Sequence, residues 1–116
     1  MTCNYNNKIA VELGVNAALA ADFIYHTFLN ETEMRDGRSW VKCSGLKLSA
    51  VYPHMKRRAA SRALRKLVEA GVLIRRALNK SSFDSTYFYS VTDYGQKLFE
   101  PDRETPPEPI YKRLRQ

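Results

Sequence analysis

Nine of the nineteen lysines and arginines of this 116-residue chain lie between positions 56 and 80, and only one of its twelve acids, Glu69, lies among them. The rest of the chain is close to neutral, so the formal net charge of +7 belongs to one segment. Charge gathered in this way, rather than spread over the surface, suits contact with a polyanion. Six of the nine are arginines, Arg57, Arg58, Arg62, Arg65, Arg75 and Arg76. A guanidinium is planar, binds phosphate with two parallel hydrogen bonds, and matches the O6 and N7 acceptors of guanine in the major groove. Between 56 and 70 there is no Asn or Gln to pair with adenine, so base readout there leans to guanine, or to a thymine methyl group through Ala59.

Other chemistry has little to stand on. Cys3 and Cys43 are forty residues apart without a CxxC spacing, and read as reduced, structural thiols. His26 and His54 show no ligand spacing, and His54, next to the basic segment, reads as a further phosphate contact. There is no Gly-rich phosphate loop, no nucleophile elbow and no paired carboxylate, while Glu31, Glu33 and Asp36 read as a solvated loop. Neither an enzyme, nor a metal site, nor a cofactor is expected. No apolar run is long enough to span a membrane, and the N-terminus lacks the layout of a signal peptide, which predicts a cytoplasmic protein.

The elements that must position the basic residues form one domain over residues 6–99, of class α+β and mainly α. Ile9, Ala10 and Leu13 recur at helical spacing and Gly14 supplies a stop. Asn16 is the expected cap of a second helix, 17–29, whose stripe of Ala17, Ala20 or Ala21, Ile24 and Phe28 lets another helix approach closely. Residues 30–38 read as a polar connection and 39–43 as a short strand, with Trp40 as a core anchor. Ser44 caps a short helix through Tyr52, with Leu46, Leu48 and Val51 facing inward, and Pro53 marks a tight turn. The helix that follows, 55–70, is closed by Gly71. Two β-prone runs, 72–78 and 86–91, are joined by a polar tip, with Tyr87 and Tyr89 packing on one face. Thr92 caps a last helix carrying Tyr94, Leu98 and Phe99. Residues 100–116, with four prolines among charges, read as a flexible solubilising or linking tail, in which Ile110, Tyr111 and Leu114 are the apolar group suited to docking.

At 100° per residue, Ala60, Ala63, Leu64, Leu67 and Ala70 share one arc of the basic helix. Arg57, Arg58, Ser61, Arg62, Arg65 and Glu69 lie opposite. Like charges at helical spacing repel by about 0.2–0.5 kcal/mol per pair, and a helix built only for solubility would mix signs.

Helix, strand, short helix, turn, basic helix and hairpin in this order resemble a winged helix-turn-helix. The closer resemblance, over residues 6–99, is to the winged-helix domains of phage and plasmid replication initiators and replisome-organiser proteins of bacteria. It is carried by Trp40-Val41, Pro53, the run Arg58-Ala59-Ala60-Ser61-Arg62-Ala63-Leu64 with Leu67, Gly71-Val72-Leu73-Ile74, Asn79-Lys80, Asp84-Ser85-Thr86 and the Tyr87–Tyr89 strand. Leu13-Gly14-Val15-Asn16 resembles the lead-in helices of that group. Lys56 departs from the pattern, standing where the family has a Ser or Thr cap, and Ala59-Ala60 replace Thr-Ile. The exit from Val91 to Leu98 is also similar to that of winged-helix transcription regulators, so replication and transcription both remain open.

The function expected is binding of double-stranded DNA. Helix 55–70 would lie in the major groove with Lys56, Arg57, Arg58, Ser61, Arg62, Arg65 and Lys66 as its contacts. A wing over 72–91 would touch the backbone through Arg75, Arg76, Lys80 and Ser81. One winged module covers only about 600–1,000 Å² of DNA, so a homodimer or a replication or transcription assembly is expected. The alternative is a winged-helix adaptor whose basic face meets an acidic protein without direct DNA binding.

Overall fold

A computed structural model describes residues 6–30, 33–35, 38–76, 87–100 and 110. Five helices and four strands follow one another as α1 (Asn7–Leu13), α2 (Val15–Asn30), β1 (Glu33–Arg35), β2 (Arg38–Cys43), α3 (Gly45–Val51), α4 (Arg57–Glu69), β3 (Leu73–Arg76), β4 (Tyr87–Val91) and α5 (Asp93–Phe99). The fold is α+β, mainly helical, with a small antiparallel sheet.

Both ends of one polar side chain secure the first helix. The Asn6 carbonyl oxygen of the side chain accepts from the Ile9 N–H at 3.1 Å, while its amide donates to the Leu98 carbonyl at 2.7 Å and holds α1 to α5. Gly14, with φ +99°, donates its N–H to the Ala10 carbonyl and accepts from the Ala18 N–H. It therefore ends α1 and starts α2 in one residue, a backbone geometry that L side chains resist. The sequence places the cap of α2 at Asn16 instead. Asn16 lies inside the first turn, and its side chain is spent on His54, with Oδ1 3.2 Å from Nε2.

Helix α2 is the hub. Ala17, Ala18, Ala20 and Ala21 are at most 1 % exposed, and with Ile24 they let α1, α4 and the sheet close on it. The sheet runs in the order β1-β2-β4-β3. Val41 faces Tyr89, Lys42 faces Phe88 and Leu73 faces Val91 across antiparallel pairs. The segment read as a polar connection contains β1, paired through Glu33 with Trp40 and Met34 with Ser39. Three residues without apolar alternation give no strand signal of their own, and pairing with β2 makes the strand.

Alternation divides the sheet into two buried faces. Val41, Cys43, Leu73, Tyr89 and Val91 join the helices in the main core. Trp40 and Phe88 are also buried, but on the reverse face and outside that core. Trp40 is thus an anchor of the far side of the sheet.

In α3 the Ser44 hydroxyl accepts from the Lys47 N–H at 3.1 Å, as the sequence predicts. Leu48 is fully buried, whereas Leu46 and Val51 are 62 % and 43 % exposed, which corrects the inward placement of all three. Leu46 and Leu48 are two residues apart and so point to opposite sides of a helix. A turn from Tyr52 to Met55, closed by a 2.9 Å backbone bond, leads into α4. The predicted arc of Ala60, Ala63, Leu64, Leu67 and Ala70 is buried.

Gly71, with φ +80°, ends α4 in a Schellman arrangement: its N–H meets the Val68 carbonyl and the Val72 N–H meets that of Leu67. The Thr92 hydroxyl then closes the base of the β3–β4 pair. It accepts from the Gly95 N–H at 2.9 Å to cap α5, and lies 2.6 and 3.0 Å from the Gly71 and Val72 carbonyls, to which it donates. Phe99 of α5 stacks on Tyr25 of α2, with ring centroids 4.2 Å apart. Ile110, from the stretch read as a tail, is 1 % exposed in the main core and donates its N–H to a Glu12 carboxylate oxygen at 2.9 Å. Among the described residues no helix is long and apolar enough to cross a membrane.

Candidate nucleic-acid interface

The basic helix starts under a handicap. Lys56 is its N-cap and makes no side-chain capping bond, and there is no acid in the first turn. A Ser, Thr or Asp at that position would add about 1 kcal/mol, and Lys56, Arg57 and Arg58 instead put three cations at the positive end of the helix dipole. A phosphate near this end would reverse both penalties.

Lys56, Arg57, Arg58, Ser61, Arg62, Arg65, Lys66, Arg75 and Arg76 are all exposed. None of them forms an ion pair with a carboxylate among the described residues, where the one such contact is His26 with Asp22. The structure separates these residues into groups that the linear sequence does not distinguish. Arg57, Ser61 and Arg65, four apart, look toward the sheet. With Arg75 they line a cleft of about 420 Å³ between α3, α4 and the ends of β3 and β4. Arg58 and Arg62 are not part of its lining and stand further round the helix. Lys66 turns to the other flank, where its ammonium donates to the Leu13 carbonyl at 3.3 Å, a cation on the C-terminal end of α1.

The two arginines of β3 also part. Neighbours in a strand point to opposite faces, so Arg75 faces the cleft and lies 4.5 Å above the Tyr87 ring, whereas Arg76 lies on the reverse face, 5.5 Å from the Trp40 ring. Lys80 and Ser81 lie outside the described residues, and His54, paired with Asn16, does not line the cleft.

Two helices meet closely at the cleft floor. A Cβ added to Gly45 would collide with the Ser61 hydroxyl and would sit 2.8 Å from the Arg57 carbonyl oxygen. Only glycine lets α3 lie this near the first turns of α4. Beside it is Cys43, whose thiol is pushed up to about 11 by burial, so the floor carries no negative charge at neutral pH. Burial also raises the Tyr89 hydroxyl, against the pull of the adjacent Arg75 guanidinium, and keeps it a hydrogen-bond donor.

Leu46 and Tyr87, the latter 40 % exposed, also line the cleft, and the sequence does not place them among the contact residues. Apolar periodicity assigns both to the core. The diagonal relation of Arg75 to Tyr87, which follows from the pairing of Arg75 with Tyr89, becomes visible only once the register is known. Among the described residues no three His, Cys, Asp or Glu side chains gather as a metal site. No family model, no curated protein and no solved structure matches this chain.

Proposed function

We propose that this chain is a winged helix-turn-helix protein that binds double-stranded DNA, with α4 in the major groove and the β3–β4 pair against the backbone. The order of elements supports it: α2, β2, α3, α4, β3 and β4 follow the layout of such a module, and the strand order β2-β4-β3 places β3 and β4 side by side beyond α4. The observation that carries the reading is the face of α4. Four exposed arginines run along 13 residues with no ion pair to a carboxylate among the described residues, behind a helix start that has no side-chain cap. At 1.5 Å per residue α4 is about 20 Å long, enough to lie through a groove about 12 Å wide. The process proposed is replication initiation of the phage or plasmid type or transcription regulation, both of which use this binding step.

The test is fluorescence anisotropy of a labelled random duplex between 50 and 400 mM salt. Neutralising about six phosphates gives a slope of log K against log salt of about −5. Absent binding at 50 mM, or binding indifferent to salt, refutes the proposal and favours an acidic protein as the partner.

A further inference from the structure

We propose that the cleft between α4 and the sheet seats the sugar–phosphate backbone of one DNA strand, so that Arg57 and Arg65 act together with Arg75, and only Arg58 and Arg62 face bases. This rests on the DNA-binding reading and divides its recognition helix lengthwise.

The cleft has the composition of a strand seat. Its cations come from two elements, Arg57 and Arg65 from α4 and Arg75 from β3, and among the described residues no carboxylate lines it. Arg57 and Arg65 are two helical steps of four apart, about 12 Å along the axis, close to the rise of three to four nucleotides of one strand. Arg75 lies over the Tyr87 ring, 4.5 Å from its centroid, and next to the Tyr89 hydroxyl, two neighbours that hold its guanidinium at the cleft while its remaining N–H groups can donate. Ser61 adds a hydroxyl donor between the two helix arginines. Leu46, 62 % exposed, and Tyr87 give the same walls an apolar part. A deoxyribose covers such surface while its phosphates meet the guanidiniums, and water alone leaves it unsatisfied. Phosphate and sugar are the same in every nucleotide, so the seat contributes affinity without sequence preference. Arg58 and Arg62, outside the seat and turned 100° round the helix from Arg57 and Ser61 respectively, are left to contact base edges.

The experiment compares a duplex selected by the protein from a random pool with a scrambled duplex, in anisotropy titrations at fixed salt. Arg65→Ala and Arg75→Ala are each expected to weaken both duplexes by about tenfold, the loss of one charge-assisted hydrogen bond. The two substitutions together are expected to weaken binding by clearly less than the product, because they share a strand. Arg62→Ala should weaken the selected duplex alone and combine multiplicatively with Arg75→Ala. A scan of single methylphosphonate linkages gives a second readout: a neutral linkage that weakens the parent protein should lose its effect in both Arg65→Ala and Arg75→Ala. If Arg65→Ala weakens only the selected duplex, or multiplies with Arg75→Ala, or shares no sensitive linkage with it, the strand seat is overturned while DNA binding stands. If the parent protein binds no duplex, the DNA reading fails and the seat with it.

Discussion

Gly45→Ala is a direct probe of how α4 is held. The added methyl would meet two groups of α4, and they differ in what they can concede. The Ser61 hydroxyl rotates away at little cost, but the Arg57 carbonyl oxygen, 2.8 Å from the added carbon, is backbone of the helix itself. Ordinary contact begins near 3.4 Å, so α3 and α4 must separate by roughly half an ångström. Overpacking of this kind costs about 1–3 kcal/mol, offset by up to about 0.5–1 kcal/mol from replacing glycine by alanine in a helix, which leaves a net loss of about 1–2 kcal/mol. The chain has a single tryptophan, Trp40, 2 % exposed, so its fluorescence reports urea unfolding. With a urea slope of about 1–3 kcal/mol per molar, the midpoint should fall by about 0.5–1 M. Adding Ser61→Ala should recover little of this, because the carbonyl remains. A midpoint equal to or above that of the parent would refute the close approach, and full recovery in the double variant would show that the hydroxyl, not the backbone, sets the helix spacing.

Three further outcomes follow. Lys56→Ser supplies the missing cap and should raise stability by about 0.5–1 kcal/mol in urea while weakening duplex binding, the mark of a position kept for function; weakened stability would refute that view of the helix start. Cys43 has a thiol at about 11 in the folded chain against 9.0 in the open one, so the folded form is favoured below pH 9 and loses that advantage as pH rises towards 11. The loss is roughly 2–3 kcal/mol, and it should vanish from the pH 9–11 unfolding profile of Cys43→Ala, whose slope is compared with the parent's because Tyr89 is raised as well. Ile110→Ala should destabilise the domain by about 2–4 kcal/mol in the same unfolding assay, as for any fully buried aliphatic side chain; a change under about 0.5 kcal/mol, the size usual for a surface site, would return residue 110 to a solvated tail.

Much of the frame could be read from sequence because it is written in local signals. Ser44, Gly71 and Thr92 each fix a helix end through bonds to residues a few positions away, and the alanine-rich arc of α4 is a periodic pattern. What escaped was set by partners distant in sequence. Lys66 is indistinguishable from Arg65 until Leu13, fifty-three residues earlier, offers a carbonyl. Arg75 and Arg76 read as one basic pair until the register sends one to the cleft and the other to Trp40. Asn16 has the composition of a cap, but Gly14 takes that role through a backbone angle no side chain announces. Ile110 sits in a stretch whose prolines and charges argue against burial, and a single apolar residue does not alter a compositional reading.

The Thr92 hydroxyl has a consequence for how this domain can vary. By joining the end of β4 to the carbonyls at the start of β3, it closes the chain between them into a loop tied at its neck. Ten residues, 77–86, separate the two strands beyond that neck. Insertions there lengthen a loop whose ends are already held together, and doubling it costs only about 0.6 kcal/mol of closure entropy. The connection between β3 and β4 can thus change in length while the placement of α4, set by its packing on α2 and α3, stays fixed.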